Sequence, residues 1–313
     1  MHRDSTSLKE EPMTPIAYTT TIVTAFYSFK KAKHTQDSYN QWLANFLVYI
    51  DNPMVIFTCE KEVPFLHRLR NNLTNKASST VFILNFSSPL EMPPIKKLEI
   101  VFMRQFHKDP ENALHSVDLY SIWCAKSYML NLTSSLNPFR SNYFLWIDAG
   151  SFRNPKYRFR HWPDARRIKS IFHNNDRLLL GLISPLKKRS CDFHTDQKHT
   201  VPNYDLIEGG ILGGSSSVIQ WWTEIFYETI DEFIHMDEFI GKDQYIMNFI
   251  ALTYPWKISV ILAYKAFCDN HWFVYGPLLA SDFERWILFG DNCGAKNIME
   301  LVRPLNEVCA QLL

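Results

Sequence analysis

The chain has 313 residues, 46% hydrophobic and 21% charged, enough apolar material for a core and too much for a mainly disordered or fibrous protein. Lys and Arg number 33 against 32 Asp and Glu, a net charge of +1. A balance this even gives no global field for nucleic acid or an anionic membrane, and no run approaches the ~18 apolar residues of a membrane span.

Residues 1–17 are polar, lack the apolar stretch of a signal peptide, and read as a disordered lead-in to one domain over 18–313. The β-branched run Thr19–Tyr27 predicts a buried strand. Tyr39, Trp42, Leu43, Phe46 and Tyr49 then fall at helical spacing. After the Asp51-Asn52-Pro53 turn come a strand at Met54–Thr58, a helix from about Val63 to Asn71, and a strand at Val81–Asn85. This alternation predicts an α/β fold with a mostly parallel central sheet covered by helices on both faces. A helix over Val117–Asn131 leads into the apolar strand Tyr143–Ile147. Then come a strand at Leu178–Ile183, a glycine-dense segment Glu208–Gly214, helices at Ser217–Ile234 and Lys242–Leu252, and a strand at Trp256–Leu262. Within 276–313 the only legible element is a helix over Asn297–Leu312.

The six cysteines show neither zinc nor redox spacing, and reduced thiols in a cytosolic protein are the simplest reading. Sequons at Asn72, Asn85 and Asn131 point instead toward a secretory route. The compartment stays open, cytoplasmic by default.

Three segments carry candidate chemistry. Asp148, in Asp148-Ala149-Gly150, ends a buried strand at the carboxyl edge of the sheet, where open α/β sheets bind ligands. Gly150 lets the backbone turn closely past such a ligand. Asp148 could hold Mg²⁺ or Mn²⁺, bind a ribose hydroxyl, or only cap the next turn. Glu208–Gly214 gathers four of the ten glycines without the spacing of a P-loop or dinucleotide fingerprint. Bare backbone at Gly209 and Gly210 would let a sugar lie against the main chain, with Glu208 accepting from its hydroxyls; a bulged strand is the structural alternative. In Gly241-Lys242-Asp243-Gln244, Asp243 either caps a helix or faces the sheet edge as a base or sugar ligand. Lys126 and Arg153 flank the Asp148 strand within reach of a diphosphate, and His271 offers an imidazole beside Trp272. There is no Gly-x-Ser-x-Gly or His-Glu-x-x-His, and Ser184-x-x-Lys187 lacks its companion motifs, so hydrolase readings lose support.

Taken in order, Thr20–Tyr27, Asn52–Thr58, Trp146–Gly150, Glu208–Gly214 with Trp221-Trp222, and Asp243-Gln244 resemble the HtrL/YibB family, whose members look like glycosyltransferases of the GT-A fold, a Rossmann-like domain. The resemblance spans roughly residues 19–262. It implies a nucleotide-sugar donor over the first strands, near Thr24, Ala25 and Tyr27, and an Asp-x-Asp motif holding Mn²⁺ or Mg²⁺ against the diphosphate. Asp148 matches the first acid of that motif, but Gly150 stands in place of the second. Either Asp148 and His271 hold the ion with waters, or Lys126 or Arg153 replaces it. By the same resemblance Glu208, Gly209, Gly210 and Gln244 line the sugar or acceptor pocket, and Asp243 is the acid at the reacting centre. The expected partners are the donor and a glycan or other hydroxyl acceptor, with no nucleic acid and no integral membrane segment. The missing acid suggests the alternative of a catalytically silent nucleotide- or glycan-binding protein. A nucleotidyltransferase is a weaker reading, because the basic stretch Ser28–Lys33 contains no glycine.

Overall fold

The computed structural model describes residues 19–31, 33–74, 76–173, 176–191, 203–267, 269–290 and 298–312. Its strands are β1 Thr20–Phe26, β2 Met54–Thr58, β3 Thr80–Ile83, β4 Tyr143–Ile147, β5 Leu178–Leu182, β6 Ile207–Gly214, β7 Ile258–Leu262 and β8 Val302–Pro304. The helices between them are α1 Gln36–Leu47, α2 Val63–Arg70, α3 Pro93–Lys96, α4 Glu99–Gln105, α5 Val117–Leu136, α6 Ala165–Ile171, α7 Lys188–Cys191, α8 Ser216–His235, α9 Asp243–Thr253, α10 Tyr275–Leu279, α11 Asp282–Phe289 and α12 Leu305–Ala310.

All eight strands join one sheet in the order β3-β2-β1-β4-β6-β5-β7-β8. Every residue of β1, β2, β4, β5 and β7 is buried, as expected of strands covered on both faces. The sheet is mostly parallel, as expected, but mixed. Strands β1 to β4 are mutually parallel, as are β5 and β7, whereas β6 runs against both β4 and β5, and β8 runs against β7. The glycines of β6 allow this insertion. A Cβ on Gly213 would lie 2.2 Å from the Phe144 carbonyl oxygen of β4, so the two backbones meet where a side chain has no room.

Helix α5 is anchored from one side by α8. Trp222 donates its indole N–H to Ser127 Oγ at 3.0 Å, and the Tyr227 hydroxyl donates to the Cys124 carbonyl at 2.9 Å. The helix continues past the predicted Asn131 to Leu136 and stops at Asn137, whose φ of 39° is the left-handed cap conformation. The helix predicted over Asn297–Leu312 is instead a short turn Ile298–Leu301, then β8 and α12. Pro304 has no N–H to continue an earlier helix and sits where a new one begins.

Cys191 and Cys309 form a disulfide with Cα atoms 5.3 Å apart, which overturns the reduced-thiol expectation for this pair. Their separation of 118 residues hides the pairing from any local spacing rule. Cys59 and Cys124 are buried and free; Cys268, Cys293 and the lead-in 1–17 lie outside the described residues. Among the described residues no helix is long and apolar enough to cross a membrane.

Candidate functional site

Strand β1 has β2 on one side and β4 on the other. The connections leaving β1 and leaving β4 therefore diverge, and a crevice opens at the carboxyl ends of these strands. Because β6 is antiparallel, its first residues arrive at the same edge; the Asp148 N–H donates to the Gly210 carbonyl at 3.0 Å. The result is a cleft of about 520 Å³ whose wall includes Ala25, Tyr27, Asp148, Gly150, Glu208 and Asp243.

Lys126, from the middle of α5, organises the floor. Its Nζ lies 3.2 Å from Asp148 Oδ2, 2.9 Å from Asp243 Oδ2 and 2.7 Å from the Gly209 carbonyl oxygen. Of these, the Asp148 and Gly209 oxygens accept hydrogen bonds from it, whereas Asp243 Oδ2 is an ion-pair partner without one. Burial opposes its charge, but Asp148 and then Asp243 hold its pKa above the ordinary lysine value. Asp243 is the first residue of α9, where the helix dipole favours an acid; its carboxylate pairs with Lys126. Asp148 is the open member: 34% of its side chain is exposed, against 5% for both Lys126 and Asp243. The indole N–H of Trp146 donates to Asp148 Oδ1 at 2.6 Å. Burial raises the Asp148 pKa above the usual carboxylate value, against the pull of Lys126 and this hydrogen bond.

Glu208 reaches the floor through an irregularity in β6. Leu180 of β5 pairs with Leu212, but its neighbour Gly181 pairs with Glu208, so residues 209–211 have no partner on β5, and Gly209 and Gly210 line the cleft. Gly181 makes room for the acid, since a Cβ there would lie 2.6 Å from Glu208 Cγ. Glu208 Oε2 accepts from the Gly210 N–H at 2.6 Å. Its Oε1, Ser151 Oγ and the Tyr275 hydroxyl are buried without a hydrogen-bond partner among the described residues. Burial pushes the Glu208 pKa well above its usual range, against the Gly210 hydrogen bond.

Beside Asp148-Ala149-Gly150 the cleft is cationic and aromatic. The Arg153 guanidinium lies between the rings of Trp42 and Phe273, at 4.2 and 4.4 Å from their centroids. Its Nε donates to the Gly150 carbonyl at 3.0 Å. Among the described residues its terminal nitrogens have no acceptor, whereas the lining lysines Lys33, Lys126 and Lys242 are all ion-paired. Cation–π contact of this kind stabilises the charge without consuming its donors.

The fold thus gathers Ala25, Tyr27, Lys126, Asp148, Gly150, Arg153, Glu208, Gly209, Gly210, Asp243 and Gln244 around one cleft. Gln244 is turned inward, its amide donating to the Ile207 carbonyl at 2.7 Å. Thr24 is buried within β1 and His271 is an exposed turn residue; neither belongs to the cleft wall. Sequence reasoning missed Trp42, Ser151, Phe273 and Tyr275. Aromatic residues are abundant in this chain, and only the fold distinguishes these from core. The donor set suits a divalent cation poorly. Lys126 already stands between Asp148 and Asp243, Gly150 contributes no oxygen side chain, and no group of three or more His, Cys, Asp or Glu among the described residues could hold an ion.

Fold and site together define an α/β protein with a polar cleft at the switch point of a mixed sheet. More particularly, the chain belongs to the HtrL/YibB family: the family model described as a bacterial protein of unknown function matches residues 18–274. Comparison with curated proteins gives no match.

Proposed function

We propose that this protein is a glycosyltransferase of GT-A-like design that moves a sugar from a nucleotide-sugar donor to a hydroxyl acceptor. The observation that carries the reading is the charge division of the cleft. Carboxylates on the floor suit the hydroxyls of a sugar, while Arg153 in the same cleft has an open planar fork that suits a diphosphate. Tyr39 and Trp123, also in the wall, offer ring surface for a base. In the reaction the acceptor oxygen attacks the anomeric carbon. The bond from that carbon to the phosphate oxygen breaks, and its electron pair leaves with the nucleoside diphosphate. Asp148 takes the acceptor proton, a task favoured by a pKa lifted toward the working pH. Asp243, nearly enclosed behind it, positions Lys126 and through it Asp148.

A panel of mass-tagged nucleotide sugars tests the proposal. Wild-type protein should hydrolyse or transfer at least one donor, and Asp148→Asn should lower turnover by about 100-fold or more with an unchanged circular-dichroism spectrum. Absence of binding and turnover across the panel overturns it. The second reading, a silent binding protein, is favoured by Gly150 standing where a second acid is expected; nucleotide binding without any turnover selects it.

A further inference from the structure

We infer that Lys126 holds, permanently and from within the chain, the position that a divalent cation would otherwise take between the floor carboxylates, and that Arg153 receives the diphosphate, so that nucleotide binding needs no added metal. This inference rests on the nucleotide-sugar reading above and states how that same site handles charge.

Three observations carry it. First, the ammonium is held on three sides: it donates to Asp148 and to the Gly209 carbonyl at 3.2 and 2.7 Å and ion-pairs with Asp243 at 2.9 Å. A metal ion bound by the same two carboxylates would have to share their oxygens with this buried positive charge, at a separation where like charges repel strongly. Second, a small divalent ion demands near-octahedral oxygen ligation, and the third position of Asp148-Ala149-Gly150 supplies no side-chain oxygen. Third, Asp148, Asp243 and Glu208 set three carboxyl groups against one ammonium, so the floor has no surplus positive charge. A diphosphate finds no free positive charge there and is drawn to Arg153 instead. Arg153 is the lining arginine or lysine without an ion-pair partner among the described residues, and its two ring contacts and the Gly150 hydrogen bond fix its direction. Lys126 is in these terms a positioning residue; Arg153 touches the ligand.

Isothermal titration calorimetry of the full chain with UDP, GDP, ADP and CDP, each with chelator and then with Mn²⁺, separates the outcomes. The expected result is binding of at least one of them, with the affinity in chelator and in Mn²⁺ agreeing to about twofold. Arg153→Met should weaken that binding by about tenfold or more, the loss of a charge-assisted pair. Lys126→Met, which vacates the space between the carboxylates, should make binding depend on Mn²⁺, a gain that mere structural damage does not produce. If Lys126→Met does not fold, the wild-type and Arg153→Met titrations decide alone. Wild-type binding that vanishes in chelator and returns with Mn²⁺ overturns the Lys126 inference and leaves the transferase reading standing. Full affinity in Arg153→Met overturns the diphosphate assignment. No binding under any condition removes the nucleotide-sugar reading itself.

Discussion

The two halves of the sheet are built on different principles. Strands β1 to β4 are parallel and contain no glycine, whereas β5 and β6 contain five, at 181, 209, 210, 213 and 214. The first half is a regular shelf of β-branched and large apolar residues, and it delivers Asp148 to an edge by strand geometry alone. The second half gives up side-chain packing at those glycines, and the space admits an antiparallel strand and a buried acid. Regularity on one side supplies position; irregularity on the other supplies the room in which polar groups meet.

The disulfide lies entirely in the second half and offers the harshest way to break this comparison. It closes a loop of 118 residues that contains β6, α8, α9 and β7, for which chain-entropy arguments give about 5 kcal/mol. Cys309→Ser should lower stability by an amount of that order in denaturant titrations, and hydrogen exchange should rise in β5–β8 before β1–β3. Uniform loss of protection would show that the halves are one cooperative unit. A smaller effect is expected at the seam. Gly213→Ala puts a methyl group against the Phe144 carbonyl, an overpacking that costs about 3 kcal/mol; an unchanged denaturation midpoint would mean that the strands separate freely there.

The smallest effect sharpens the contrast through pH. The folded state raises the Glu208 pKa, so its protonated form is the one folding favours. Its contribution is fully present below the unfolded value of about 4.3 and is lost as pH climbs through the raised folded value. Glu208→Gln removes that loss, so wild-type protein should melt progressively below the variant as the medium turns alkaline. Asp148 is raised in the same direction, and some pH dependence should persist in the variant. Parallel melting curves across the range would show that Glu208 is already neutralised by some other means.

The same division governs what could be read in advance. In the parallel half, composition and period located β2 and β4 to the residue and β1 within one at each end, because buried parallel strands are continuous apolar runs. Asp148 could be found for the same reason. The glycine-dense segment was visible as an anomaly, but its direction was not, since strand orientation is set by partners far away in sequence. Lys126 lies in the middle of an ordinary helix, and Asp243 at the start of another; nothing local shows that the Lys126 ammonium pairs with both Asp148 and Asp243. The C-terminal segment was misread because helical spacing of apolar residues outweighed one proline.

Arg153 joins the two halves mechanically. Trp42 on one side of its guanidinium belongs to α1, while Phe273 on the other belongs to the turn preceding α10. The stack behaves as a rivet through the mouth of the crevice. Separating these two segments would strip an aromatic cover from a positive charge, so they are expected to keep a set spacing.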